Sequence, residues 1–174
     1  VHLLPESVSF VEGALVEPYT IGSQAVTRAG VRAGDLCLIH GAGPIGLIAT
    51  DLCKSEGAKC IVSEPSESRR ELAIKMGADW VIDPVKEDLA ARVSEISEGH
   101  GANVIFDAVG MPAIVEASIP LLSAAGRFLE FGYGFGAAKV DFNLMNKFEL
   151  TVMGIRHQYN RYEPVLAAYP GRLD

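Results

Sequence analysis

Asp35-Leu36-Cys37-Leu38-Ile39-His40-Gly41-Ala42-Gly43-Pro44-Ile45-Gly46 is a short apolar run that breaks into a glycine-rich turn. The run suits a strand buried on both faces. From Pro44 to Ser55 the pattern turns helical, and Pro44 fits the first helical turn, where its missing N–H costs nothing. Lys59-Cys60-Ile61-Val62-Ser63 is a second apolar strand, and Glu64 follows it directly, 18 residues after Gly46.

The same alternation continues downstream. Helices are predicted over Ser66–Met76, closed by Gly77, over Lys86–Ser97 with Leu89, Val93 and Ile96 on one side, and over Pro112–Ala124, ended by Gly126. Strands are predicted at Trp80–Asp83, Asn103–Asp107, Arg127–Phe131 and Phe148–Ile155, with a last helix near Tyr162–Tyr169. Upstream, Ser9-Phe10-Val11-Glu12 has capping-box form and opens a short helix. Glu17-Pro18 is expected to interrupt it, and a second helix runs over Thr20–Ala29 to the turn glycines Gly30 and Gly34. Such alternation predicts an α/β fold: a doubly wound, mostly parallel six-stranded sheet (a Rossmann fold) with helices on both faces.

In that frame Gly41-x-Gly43-x-x-Gly46 is a dinucleotide-binding fingerprint. Gly41 allows the tight turn out of the strand. Gly43 lets backbone approach a pyrophosphate, and Gly46 lets the helix pack against the sheet. The amides at the start of the helix, around Pro44 and Ile45, and its positive dipole end face the phosphates. Glu64 would accept hydrogen bonds from the adenosine ribose and repel a 2′-phosphate, so NAD is expected over NADP. Arg69 would flank the adenine or help tolerate a 2′-phosphate, which leaves the NAD preference short of absolute. Other nucleotide folds fit less well: His40 stands where a methyltransferase carries an acid, no Tyr has a Lys four residues later, and GK[ST] is absent.

Composition narrows the partners. The chain has 174 residues, 49% hydrophobic and 21% charged, which is enough apolar material for one globular core. A net charge of −7 repels phosphate backbones and argues against a nucleic-acid partner. No stretch approaches the ~20 apolar residues of a membrane span, and no signal peptide is visible. Cys37, Cys53 and Cys60 are odd in number and lack CxxC spacing, so buried free thiols and a cytoplasmic setting are expected.

Several segments together resemble the medium-chain dehydrogenase/reductase family, nearest to its zinc-dependent sorbitol, threonine and alcohol dehydrogenases. They are Gly13-Ala14-Leu15-Val16-Glu17-Pro18, Gly30-Val31-Arg32-Ala33-Gly34-Asp35, the Gly41–Gly46 loop, Met76-Gly77-Ala78-Asp79, Phe106-Asp107-Ala108-Val109-Gly110 and the segment from Gly126-Arg127-Phe128 onward. The resemblance implies that residues 1–174 are the NAD-binding domain of a longer enzyme, with its preceding linker helices. The catalytic domain and the main zinc ligands would lie outside this chain, which alone would be inactive. It further implies that Val109 and Gly110 shape the adenine-side wall. Phe131, Gly132 and Tyr133 would lie near the nicotinamide ribose, and Ile155, Arg156 and His157 near the carboxamide. Glu17 would lie at the zinc site, as a ligand or beside one. Polyol dehydrogenases often carry Arg in place of His157, which loosens the sugar-alcohol expectation. The implied reaction is hydride transfer between a secondary alcohol or polyol and NAD, in a homodimer or tetramer joined through the edge strand near residues 148–155. Two alternatives stay open: a zinc-free quinone or enoyl reductase domain using NADPH, and a nucleotide-sensing module without chemistry.

Overall fold

The computed structural model describes residues 2–134 and 136–168. Six strands form one sheet: β1 (Leu36–His40), β2 (Lys59–Ser63), β3 (Trp80–Ile82), β4 (Ala102–Asp107), β5 (Leu122–Glu130) and β6 (Thr151–Gly154). They are ordered β3-β2-β1-β4-β5-β6 and every pairing is parallel. The helices are α1 (Phe10–Ala29), α2 (Pro44–Ser55), α3 (Glu67–Lys75), α4 (Leu89–Ile96), α5 (Pro112–Ser118), α6 (Phe142–Phe148) and α7 (Tyr162–Ala168). Chain order reverses between β1 and β4, and in a doubly wound sheet that switch point opens a crevice at the carboxyl ends of the strands.

Alternate strand residues feed two cores. Cys37, Ile39, Val62, Phe106 and Leu129 pack under α1, α2 and α3. Leu38, Ile61, Ile105 and Phe128 pack under α4, the 3-10 turn after α5, and α6. All three cysteines are free and buried. Hydrogen bonding to the Cys37 and Cys60 thiols, and then burial, push the Cys53 thiol well above its ordinary value, so the cluster behaves as small apolar side chains rather than as thiolate ligands. Among the described residues no helix is long and apolar enough to cross a membrane.

Several expectations need correction. The break at Glu17-Pro18 does not occur: α1 runs unbroken over 20 residues with Pro18 inside it, and the Thr20 hydroxyl donates to the Glu17 carbonyl at 2.6 Å. Val16, Tyr19, Thr20, Ala25, Val26 and Ala29 form one buried stripe spanning the proline, and burying that stripe outweighs the lost backbone bond. The helix expected to reach Ala124 stops at Ser118. A 3-10 turn carrying Pro120 follows, and β5 begins at Leu122. β6 starts at Thr151 rather than Phe148, because Phe142–Phe148 is helical behind an N-cap at Asp141. The predicted last helix is present over Tyr162–Ala168, and Tyr169 lies outside the described residues.

Candidate functional site

The loop from β1 into α2 forms the centre of the site. Gly41 has φ +87°, a left-handed conformation that favours glycine. A Cβ on Gly46 would stand 2.0 Å from the Gly41 carbonyl oxygen, so helix and turn can touch only there. A Cβ on Gly43 would meet nothing within 4 Å: the space over it is open. Gly43 is also the N-cap of α2 and offers no side-chain hydrogen bond. The first amides of the helix therefore have no partner within it and point toward that space.

Glu64 closes one side. Its carboxylate is buried, with Oε2 accepting from the Ala42 amide and Oε1 from the Ser66 amide, both at 2.9 Å. The end of β2 is thereby tied to the glycine turn, and each oxygen keeps a second lone pair for a ligand hydroxyl. Arg69 and Arg70 separate cleanly. Arg70 is structural: it donates to the Glu64 and Pro65 carbonyls and pairs with Asp83 at 3.3 Å. Arg69 lies exposed at the rim in a long ion pair, 3.9 Å from Glu64 Oε2. Gly41, Gly43, Glu64, Arg69 and Val109 share a cavity of about 720 Å³ with His40, which also lines it.

A second cavity of about 390 Å³ lies on the other side of the switch point. Ile45, Phe131, Gly132, Tyr133, Ile155 and Arg156 line it. The Arg156 guanidinium stacks over the Tyr133 ring at 5.0 Å, closing the outer end with a cation–π contact. Eleven predicted residues thus fall into two cavities flanking one glycine turn, a shape and donor set that fit an extended dinucleotide. Gly110 stands apart, lining a neighbouring hollow with Gly132 and Gly134. Pro44 is exposed at the head of α2, and His157 lines neither cavity. Glu17 is exposed on α1 beside a third hollow, one helical turn before Ile21, which reaches the second cavity. Among the described residues no group of three or more His, Cys, Asp or Glu is arranged to hold a metal ion. The zinc expected of the family therefore does not fit this chain by itself.

The sequence reading missed three residues of this edge. His40, Asp107 and Glu130 are register partners across β1, β4 and β5. The available signal was a charged or ionisable residue closing an otherwise apolar strand. His40 Nε2 lies 2.8 Å from Ser118 Oγ, whose own proton goes to the Ile114 carbonyl at 2.6 Å; the ring is therefore the donor. Burial lowers the His40 pKa to about 4, against an opposing pull from Asp107. The unfolded histidine takes its proton near 6.5 and the folded one only near 4. Stability contributed by neutral His40 is thus complete above pH 6.5 and is lost as pH falls toward 4, by up to about 3 kcal/mol. Between pH 7 and pH 5 the urea midpoint of His40→Gln should gain on that of the parent chain, which alone carries the His40 penalty; parallel curves would refute the assignment.

The family described as zinc-binding dehydrogenase matches residues 44–169. The chain belongs to that family. It is 40% identical over 166 residues to the L-threonine 3-dehydrogenase of Pyrococcus abyssi, covering 92% of this chain and 47% of that protein. Its fold superposes on 2R,3R-butanediol dehydrogenase from Bacillus subtilis with TM-score 0.90 and 31% identity, over 98% of this chain and 50% of that one. An Escherichia coli CFT073 alcohol dehydrogenase, solved in complex with the cofactor NADH, gives TM-score 0.93 at 27% identity, over 99% and 52%. This zinc-binding dehydrogenase chain spans about half the length of the relatives it matches. These relatives bear out the expected medium-chain dehydrogenase resemblance and the Rossmann-type sheet.

Proposed function

We propose that residues 1–174 are the NAD-binding domain, with its linker helices, of an enzyme that moves hydride between a secondary alcohol or polyol and NAD. The observation that carries this reading is the buried Glu64 carboxylate, held by two amides at the wall of the larger cavity, beside the open space over Gly43. A carboxylate there accepts ribose hydroxyls and repels a 2′-phosphate. Two relatives support the substrate class, since threonine and 2,3-butanediol both present a secondary hydroxyl. The E. coli neighbour's NADH supports the nucleotide.

The nicotinamide ring supplies the hydride acceptor; this chain supplies its binding and orientation. Gly43 and the head of α2 receive the pyrophosphate, Val109 and Gly110 flank the adenosine, and Phe131, Gly132, Tyr133, Ile155, Arg156 and His157 surround the nicotinamide half. The remainder of the enzyme brings the main zinc ligands, with Glu17 approaching that centre from α1. Among the described residues nothing pairs with the outer edge of β6, where Val152 is 40% exposed. A bare edge invites pairing, and a homodimer or tetramer through it, in the cytoplasm, completes the reading.

Calorimetric titration with NADH and NADPH tests the nucleotide. NADH should bind at least about tenfold tighter, the scale of one unfavourable charge contact. In Glu64→Ala both affinities fall, because the Ala42 and Ser66 amides lose their acceptor, and the ratio between them should shrink toward one. An unchanged ratio would remove Glu64 from the discrimination. Tighter NADPH in the parent chain would instead favour the zinc-free reductase reading, with Arg69 taking the 2′-phosphate.

A further inference from the structure

Three ionisable side chains cross the carboxyl end of the sheet in one row. His40 is the register partner of Asp107, and Asp107 of Glu130, so all three project from the same face. Asp107 is fully buried. Its Oδ1 accepts from the Val109 and Gly110 amides at 2.8 and 3.1 Å. Among the described residues its Oδ2 is buried without a hydrogen-bond partner, and so is Glu130 Oε1 on the adjacent strand.

Two orphaned carboxyl oxygens on paired strands cannot both be bare acceptors at low cost. A proton held between them satisfies both. Asp107 Oδ1 is already taken by two amide donors, so Glu130 carries the proton. Burial, then the Asp107 charge and a hydrogen bond to Asp107, raise the Glu130 pKa to about 7. Among the described residues, the loop after β5 faces Glu130 with Gly132, Gly134, Gly136 and Ala138, none of them charged. β4 brings Asp107; β1 brings His40, kept neutral by burial; α1 brings Ile21 and α2 Ile45; α5 brings Pro112 and Val115; β6 brings Val152, and the segment after it brings Arg156. Arg156 is exposed and committed to the Tyr133 ring. Glu130 itself lines the smaller cavity, beside Phe131 and Ile155.

We propose that the Asp107–Glu130 pair lets this domain distinguish the two redox states of its nucleotide: the oxidised form, with its cationic ring, binds with release of the Glu130 proton to solvent, and the neutral reduced ring binds with that proton retained. The inference rests on the dinucleotide reading above and on the smaller cavity taking the nicotinamide half. Its physical basis is that a pyridinium beside Glu130 favours a second carboxylate, whereas a dihydropyridine does not. No covalent step is involved.

The test is isothermal calorimetry of this chain with NAD⁺ and with NADH, at pH 6, 7 and 8, each in phosphate and in Tris buffer. At pH 7 the NAD⁺ heats should differ between buffers in the sense of proton release, and the NADH heats should not. From pH 6 to pH 8 the NAD⁺ affinity should gain on that for NADH by about threefold to tenfold, the effect of a shift of up to one pKa unit. In Glu130→Gln the release should vanish and the ratio should become flat with pH, with NADH still bound. Equal proton release with both nucleotides, or a flat ratio in the parent chain, overturns the inference and leaves dinucleotide binding standing. No binding of either nucleotide overturns both.

Discussion

Replacing Gly43 with alanine should leave the domain as stable as the parent and weaken NADH binding by about a hundredfold, near 2.7 kcal/mol. The backbone at Gly43 has φ −73° and ψ 178°, which alanine adopts without strain. The added methyl meets no protein atom within 4 Å. It occupies only the space assigned to the pyrophosphate and holds the phosphate oxygens away from the first amides of α2. Gly46→Ala is the control with the opposite signature. Its methyl would stand 2.0 Å from the Gly41 carbonyl oxygen, and because the obstacle is backbone, the helix must shift. A cost of about 3 kcal/mol is expected, at the upper end of overpacking effects, or roughly 8 °C in Tm for a chain of this size. Thermal unfolding and NADH calorimetry on both variants separate the two. A Gly43→Ala protein that binds NADH normally would mean that the nucleotide does not cross the glycine turn. One that unfolds early would mean that the open space is not open.

How far the sequence discloses this structure depends on how local each determinant is. α2 and β2 begin and end at the predicted residues, because their limits are set on the spot by Gly43-Pro44, by Gly57 and by Glu64-Pro65. The loop residues at the strand ends follow from the topology, since a doubly wound sheet gathers them at its switch point. α1 was misread because Pro18 is a local signal for a break, whereas the stripe from Val16 to Ala29 that overrides it acquires meaning only against α2 and α7. β5 begins at Leu122 through a register shift against β4 and a left-handed Ala125, neither of which has a residue-type signature. Within the site, Ile21 and Ile114 reach the cavities from helices, where sequence distance hides spatial approach. Glu130 was visible as a charge directly after the apolar pair Phe128-Leu129, yet its meaning depends on Asp107 being the register partner across the strand.

The largest loss of stability should come from the opposite half of the sheet, at Arg127. Its Nη1 donates to the Ala29 and Gly30 carbonyls at 2.6 and 2.8 Å, and its Nη2 to Asp35 Oδ2 at 2.8 Å. One guanidinium therefore closes the carboxyl end of α1, where Gly30 turns left-handed, and neutralises a carboxylate whose side chain is 7% exposed. Arg127→Ala strands that carboxylate, with the Arg32 amide at 3.3 Å and the Arg32 guanidinium at 3.9 Å as weak substitutes. Removing one member of a buried pair costs about 3–5 kcal/mol; with Arg32 nearby, about 4 kcal/mol is expected from urea unfolding. Replacing both members, as Arg127→Met with Asp35→Leu, should recover more than half of that, because no buried charge is left without a partner. Additive losses in the double variant would show instead that the bonds to the α1 carbonyls, and not the ion pair, carry the effect. NADH affinity below the transition should be unchanged in either protein. Asp35 precedes β1 and Arg127 pairs with Val104 early in β4, so neither touches the edge where Gly43 and Glu64 stand.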